Sequence, residues 1–331
     1  MTLATKTRRR VAVSGLGSIA RQHITVLNTV GDVEVIAFDP SEELRNTALV
    51  SGWIHRAHDN FDALLAERPD ALVIAAPDFA HLEQLQAAAA LGIPTLVEKP
   101  LSHSLESARR IVPQLLTGAT PALVGYVLRH RLAVGTVKRL LDDGAIGIPV
   151  SFQVMLGAYG TITAASSRFA SPEPDRLYRD YSHEWDYLRW IFGPVREVLA
   201  VARTTNQVPH VEHPNLVDGL IAMQRDVVGS FHIDYVEPRG TRTLHIVGSG
   251  GSLQADFGKG TIILRMAGEG GERIIHQVES ASGPLRRQAE HLLAIAAGTQ
   301  SPRVTLADGL AALEVTDALI RSAVERSWVS V

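Results

Sequence analysis

A Glu-Lys-Pro triplet marks the first place where this sequence could do chemistry. Glu98–Pro100 follow the apolar run Thr95–Val97, so a carboxylate and an ammonium stand at the end of a predicted buried strand. Two charges in such a position cost free energy unless they are paired or used. A solvated loop end is the simple explanation for an isolated Glu-Lys pair, and a ligand-binding role is the alternative.

A glycine-rich turn is the second such place. The sequence GLGSIA, which begins at Gly15, follows a predicted strand and opens a predicted helix. Gly15 permits the tight turn, Gly17 lets the backbone approach a pyrophosphate, and Ala20 allows close packing of helix on strand. The helix N-terminus offers N–H groups to phosphate. Asp39 ends the second strand and predicts a contact with the ribose hydroxyls of NAD, although a turn residue before Pro40 is the alternative.

The third place is the helix predicted over SHEWDYLRW. His183 lies in its first turn, where Asp180 or Ser182 could act as the N-cap. The helix dipole disfavours a charged imidazole there, so His183 could accept a proton near neutral pH. The alternative is a histidine that only bonds a neighbouring carboxylate.

Two further clusters do not predict sites. His210 and His213 have the look of a metal pair, but prolines flank them and no third ligand is apparent, so a loop is the better interpretation and no metal is expected. The glycines of Gly248–Gly251 lie between two strand-like runs and predict a hairpin turn.

Two regions with different patterns must position these residues. From residue 10 to about 125, strand and helix patterns alternate, which predicts a doubly wound parallel sheet. From about residue 150, short strands follow one another, which predicts a mostly antiparallel sheet covered by helices on one face. We therefore expect a Rossmann domain over residues 1–125 and an α+β domain for substrate binding and oligomerisation over 126–331. The predicted helices are Ser18–Thr29, Ser41–Ser51, Phe79–Leu91, Leu105–Leu116, Ser182–Phe192, Leu285–Ala297 and Ala307–Glu325.

The composition narrows the function classes. The 331 residues are 46% hydrophobic and 20% charged, with a formal net charge of −3, so nucleic acid is not an expected partner. There is no cysteine, which excludes disulfides and thiolate metal sites. No apolar run is long enough to span a bilayer, and the basic N-terminus lacks the apolar core of a signal sequence, so we expect a cytoplasmic protein.

With GLGSIA, EKP and SHEWDYLRWIFG in this order, the chain resembles the Gfo/Idh/MocA oxidoreductases, a family named for glucose-fructose oxidoreductase and inositol dehydrogenase. The resemblance runs nearly end to end, because AAPDFAH, VGYVLRHRLAV, DDGAIGIP, RTLHIVGSGGSL and LADGLAALEVTDALIRSA are also similar to segments of that family. EKP after a dinucleotide-binding fold is the most specific of these marks.

The resemblance implies roles for individual residues. It implies that Lys99 touches both nicotinamide and substrate and that His183 takes the substrate's hydroxyl proton. The family motif has an aspartate four places before this histidine. In this sequence that position holds Arg179, and the nearest carboxylate is Asp180. An alternative register puts Glu184 at the histidine position. The expected cofactor-binding residues are Gly15, Gly17, Ser18, Ile19, Asp39, Ala76, Pro77, His81, Glu98 and Lys99, and the expected substrate-binding residues are Tyr126, Tyr159, Arg168 and Tyr235.

The implied activity is NAD-dependent hydride transfer at a secondary alcohol of a sugar, sugar derivative or cyclitol, with NADP less favoured. Two alternatives stay open: a regulatory protein that binds NAD without turnover, and a glycosidase that uses tightly held NAD transiently. The resemblance also implies a homodimer or homotetramer through the second sheet.

Overall fold

The computed structural model describes residues 8–159, 175–207, 214–268 and 271–331. The chain forms two compact units. The first comprises the chain up to His130 together with Ala281–Ala311, and the second comprises Arg131–Ser280 together with Ala312–Val331. The sequence analysis placed all residues after 125 in the second domain. In the structure, residues 281–311 belong to the first unit, where Leu292 and Ala289 are part of its apolar core.

The first unit is built on a six-stranded parallel sheet of order β3-β2-β1-β4-β5-β6. Its strands are β1 (Arg9–Ser14), β2 (Val33–Phe38), β3 (Arg56–His58), β4 (Ala71–Ile74), β5 (Thr95–Val97) and β6 (Ala122–Val124). The central strands are buried on both faces, as parallel sheets require. The order reverses between β1 and β4, and ligands bind at the carboxyl ends of strands beside such a reversal.

Three helices of this unit begin at a capping side chain. Ser41, Asn60 and Ser104 each accept a hydrogen bond from a backbone N–H of the following turn. The helices are α1 (Ser18–Leu27), α2 (Glu42–Val50), α3 (Phe61–Ala66), α4 (His81–Ala90), α5 (Leu105–Leu116) and, after the second unit, α9 (Gly283–Ala296). A 3-10 turn over Val127–His130 ends the first passage of the chain through this unit.

The second unit contains a nine-stranded sheet of order β14-β13-β12-β11-β7-β10-β9-β8-β15. Its strands are β7 (Pro149–Gly157), β8 (Val195–Arg203), β9 (Leu216–Met223), β10 (Val228–Asp234), β11 (Thr241–Gly248), β12 (Gly251–Asp256), β13 (Thr261–Met266), β14 (Glu272–His276) and β15 (Val329–Ser330). All neighbours are antiparallel except β7 and β10, which run parallel. The predicted hairpin is confirmed, because Gly248 pairs with Gly251 across the β11–β12 turn.

Aromatic side chains hold the helix of the histidine motif on this sheet. The helices here are α6 (Leu132–Asp142), α7 (Arg176–Asp180), α8 (Ser182–Phe192) and α10 (Leu306–Glu325), whose first turns belong to the first unit. Trp185 of α8 meets Phe231 of β10 edge to face at 5.0 Å, and Phe192 stacks on Phe152 of β7 at 4.8 Å. Such aromatic pairs add specific geometry to the buried area.

The fold class expected from the sequence is confirmed for both sheets. The predicted limits of α5 and α8 match the observed ones, and Ser41 caps α2. The sequence analysis missed β3, β15, α3, α6 and α7. Within the described residues, no helix is long and apolar enough to cross a membrane.

Candidate active site

The glycine loop leaves the N-terminus of α1 open. Gly15 has φ +93°, and a Cβ there would lie 2.7 Å from the carbonyl oxygen of Ala75. Both the backbone conformation and the lack of space therefore require glycine at this position. A Cβ on Gly17 would meet nothing within 4 Å, and Gly17 and Ser18 are exposed. No side chain caps this helix end. The space and the N–H groups fit a pyrophosphate.

Asp39 fastens this loop to the end of β2. Its Oδ2 accepts the backbone N–H of Leu16 at 2.8 Å, and its Oδ1 accepts that of Ser41 at 2.8 Å. A carboxylate has about four acceptor positions, so Asp39 can still bind ribose hydroxyls. Arg45 donates from Nη1 to the carbonyl oxygens of Asp39 and Pro40, which keeps a guanidinium beside this carboxylate.

The Glu98 side chain points into the interior of the first unit. Its Oε1 lies 2.7 Å from Nε2 of His23 on α1, and its Oε2 accepts the backbone N–H of Lys99 at 3.1 Å. A Cβ on Gly125 would lie 2.9 Å from both carboxylate oxygens, so the carboxylate lies flat against that residue. Lys99 is half-buried at the carboxyl end of β5, and its peptide bond to Pro100 is cis.

His81 joins the two loops that follow β4 and β5. It is 1% exposed, and its two ring nitrogens each lie 2.9 Å from a carbonyl oxygen, that of Ala76 and that of Pro100. Both ring nitrogens are thus engaged by the two loops, and the expected cofactor contact of His81 stays a prediction. Ala76 itself is half-buried and Pro77 is exposed.

In the second unit His183 lies in the first turn of α8 and is half-buried. The expected side-chain cap is wrong. The N-cap residue is Tyr181 without a side-chain cap, and the Ser182 hydroxyl donates to the carbonyl oxygen of Arg179. Asp180 is engaged elsewhere, because its Oδ2 accepts the hydroxyl of Tyr235 at 2.7 Å.

The expected substrate-binding tyrosines differ in exposure. Tyr126 is fully buried in the first unit, Tyr235 is 1% exposed, and Tyr159 is half-buried. Tyr235 therefore acts first on Asp180, whose carboxylate it holds. Arg168 lies outside the described residues, as do His210 and His213.

Glu184, the alternative to His183, is completely buried. Its Oε1 lies 2.9 Å from Nε of Arg242 on β11, which gives it an ionic partner inside the unit. The carboxylate also contributes, after burial, to raising the pKa of the nearby Tyr187 hydroxyl. A buried, paired glutamate is poorly placed to meet a substrate, so the geometry favours the register with His183.

The sequence analysis missed the partners of the two buried glutamates, namely His23 for Glu98 and Arg242 for Glu184. The signal for His23 was its position among Ala20, Ile24 and Leu27 on the buried face of α1, where a histidine needs a polar partner. Arg242 gave no comparable signal, because its strand alternates polar and apolar residues in the ordinary way. Within the described ranges, no group of three or more His, Asp or Glu side chains is arranged to hold a metal ion.

Comparison with known proteins identifies the family. Residues 9–117 match the model of an oxidoreductase family with an NAD-binding Rossmann fold, and residues 134–254 match the Gfo/Idh/MocA C-terminal domain. The chain belongs to the Gfo/Idh/MocA oxidoreductase family. Its first unit is the NAD-binding Rossmann domain of that family.

Curated relatives of this family member are sugar and cyclitol dehydrogenases. Inositol 2-dehydrogenase of Streptomyces avermitilis is 32% identical over 197 residues, which are 58% of this chain and 56% of that protein. D-apiose dehydrogenase of Paraburkholderia graminis is 28% identical over 207 residues, or 62% and 55% of the two chains. The chain therefore matches just over half the length of these relatives.

Solved structures match the fold over nearly the whole chain. An oxidoreductase from Agrobacterium radiobacter in complex with NAD+, L-tartaric acid and magnesium has a TM-score of 0.86 at 20% identity, covering 98% of each chain. Levoglucosan dehydrogenase in complex with NADH and levoglucosan has a TM-score of 0.85 at 21% identity, covering 98% of this chain and 99% of that one.

Proposed function

We propose that this protein is an NAD-dependent oxidoreductase that acts on a secondary alcohol, or the corresponding ketone, of a sugar, sugar derivative or cyclitol. One observation carries the proposal: the sheet that leaves the N-terminus of α1 open for phosphate also presents half-buried Lys99 at the carboxyl end of β5. The inositol and D-apiose dehydrogenases among the relatives support this substrate class.

The proposed mechanism divides the work between two side chains. The bound nicotinamide supplies the hydride acceptor or donor. His183 takes the hydroxyl proton of the substrate as general base, and Lys99 stabilises the charge that develops on the same oxygen. Asp180, held by Tyr235, is the last residue of α7, two positions before α8, and is proposed to set the electrostatic surroundings of His183. These roles follow the family motif, with His183 as its histidine.

A substrate screen tests the activity. The purified protein should reduce NAD with at least one member of a panel of inositols, aldoses, anhydrosugars and sugar acids, and Lys99→Met should lower the rate by about 10²- to 10⁴-fold. A protein that binds NADH but turns over no member of the panel in either direction would favour the regulatory alternative. NAD that stays bound through gel filtration, together with cleavage of glycosides, would favour the glycosidase alternative.

We propose further that two copies pair through the open face of the second sheet. The apolar side chains Met155, Val201, Val228 and Val247 are 41–56% exposed there, around polar residues such as His232. Helices cover the opposite face, which leaves this face for a partner of the same kind. Light scattering at micromolar concentration should give a dimer or tetramer, and Met155→Glu should weaken it. A monomeric wild-type protein would refute the pairing.

A further inference from the structure

The buried pair of His23 and Glu98 lies between the two functional parts of the first unit. The His23 side chain is 2% exposed and that of Glu98 is 9% exposed, and their Nε2 and Oε1 atoms are 2.7 Å apart. A carboxylate buried to this degree is costly unless several hydrogen bonds satisfy it. Its second oxygen receives one from the backbone N–H of Lys99 at 3.1 Å.

Backbone hydrogen bonds and the close approach of Gly125 restrict where the Glu98 carboxylate can lie. The backbone N–H of Glu98 donates to the carbonyl oxygen of Ile74 on β4 at 2.9 Å, and that of Gly125 donates to Val97 at 2.7 Å. A side chain on Gly125 would collide with the carboxylate, since a Cβ would come within 2.9 Å of it. The backbone bonds thus fix the base of the Glu98 side chain, and His23 fixes its end.

We infer that His23 and Glu98 are positioning residues that set the place of Lys99 relative to the N-terminus of α1. His23 lies on the same ten-residue helix whose first turn is open for phosphate, and Glu98 holds the backbone of Lys99 directly. The pair therefore ties the phosphate-binding helix to the turn that carries the ammonium. Neither residue needs to touch the substrate. The inference rests on the proposed role of Lys99.

The scarcity of lysine makes a direct test feasible without a substrate. The sequence has four lysines, Lys6, Lys99, Lys138 and Lys259. Reductive methylation with ¹³C-formaldehyde keeps the charge of each amine and gives it its own NMR signal. Lys99→Arg assigns the Lys99 signal by its loss. Lys138 and Lys259 serve as internal references, because they pair with Asp142 and Asp256 on the surface of the second unit.

The deciding variants test whether a hydrogen-bond donor is needed at position 23. His23→Leu fills the buried space with an apolar side chain and leaves the Glu98 carboxylate without its partner. His23→Gln retains an N–H donor. Thr95→Val is the matched control, because Thr95 is 1% exposed on the same strand and bonds Ile93 instead of the Lys99 turn.

We expect the Lys99 signal to shift in His23→Leu and to keep its wild-type position in His23→Gln and Thr95→Val, with the reference signals unchanged throughout. Once a substrate is known, His23→Leu should lower kcat roughly 10–100-fold, the scale of a small misplacement, with a smaller change in KM. Glu98→Gln, which is isosteric, replaces His23→Leu if that variant does not fold, and it should shift the same signal.

A Lys99 signal that stays in place in His23→Leu, or in Glu98→Gln where that variant takes over, would overturn the inference. An equal shift in the Thr95→Val control would overturn it too, because the effect would then be general to the strand. Addition of NADH separates this outcome from failure of the proposed function. A Lys99 signal that responds to His23→Leu but not to NADH would support the positioning role and refute contact between Lys99 and the nicotinamide.

Discussion

Each unit places a buried glutamate next in sequence to a candidate catalytic residue, and the two glutamates have different partners. Glu98 meets the imidazole of His23 at 2.7 Å. Glu184 meets the guanidinium of Arg242 at 2.9 Å. In both cases the sequence neighbour of the catalytic candidate serves as an anchor. The first anchor is a contact between a histidine and a carboxylate, and the second is an ion pair between a guanidinium and a carboxylate.

The largest effects should come from substitution of the catalytic candidates themselves, because neither buried glutamate can take over their proposed roles. Lys99→Met and His183→Ala should each lower kcat by about 10²- to 10⁴-fold, the usual scale of positioned acid-base catalysis. The two losses should not add in the double variant, because both residues are proposed to act on one oxygen. Steady-state kinetics with the substrate from the screen measures this. Unaltered kcat in His183→Ala would remove that residue from the mechanism and return attention to Asp180.

Breaking the anchors should cost the second unit more stability than the first. Arg242→Met leaves Glu184 buried without its charged partner and should lower the free energy of unfolding by about 3–5 kcal/mol. His23→Leu removes a hydrogen bond from Glu98 and should cost about 1–3 kcal/mol. Urea denaturation followed by circular dichroism measures both. Equal losses would contradict the expected difference between a lost hydrogen bond and a lost ionic partner.

Acid should destabilise the protein through His130 of the first unit. Burial, with the charges of Arg303, His291, Arg287 and Arg129, lowers the pKa of His130 from 6.5 to about 3. The unfolded chain therefore binds a proton that the folded chain refuses between these values. Stability from this group is complete above pH 6.5 and should fall by about 1.4 kcal/mol per unit as pH drops toward 3.

His130→Gln should flatten that slope in denaturation curves collected between pH 7 and pH 4. His276→Gln, at an exposed position of β14, is the control and should leave the slope unchanged. Identical slopes in all three proteins would show that His130 is not the responsible group.

The smallest effect concerns the choice between NAD and NADP. Asp39 would oppose a 2′-phosphate with like charge at a cost of roughly 1–3 kcal/mol, or about ten- to a hundred-fold in affinity. Asp39→Asn keeps the acceptor oxygen and removes the charge, so NADPH binding should improve relative to NADH. Fluorescence titration of both cofactors gives the ratio. Wild-type dissociation constants that already agree would refute the assignment of Asp39, and Arg45→Ala would then show whether its guanidinium offsets the carboxylate.

Local patterns along the sequence were sufficient for much of this protein. The alternation of strands and helices predicts the Rossmann sheet, and α5 and α8 have the limits that their periodicity indicates. The Ser41 cap and the Gly248–Gly251 hairpin depend on residues within a few positions of one another, which is why they were predictable. In contrast, β3 and α3 have only three and six residues, too few to establish a period.

Only the tertiary structure decided which distant residues meet. Glu98 and His23 are separated by 75 positions and Glu184 and Arg242 by 58, and neither pairing leaves a trace in local periodicity. Asp180 or Ser182 was expected to cap α8, but the carboxylate of Asp180 instead accepts the hydroxyl of Tyr235, the residue just after β10. The assignment of residues 281–311 to the first unit also depends on contacts between residues that are distant in sequence. Sequence patterns determine which face of an element is apolar, whereas the choice among possible partners for that face depends on the packing of the whole chain.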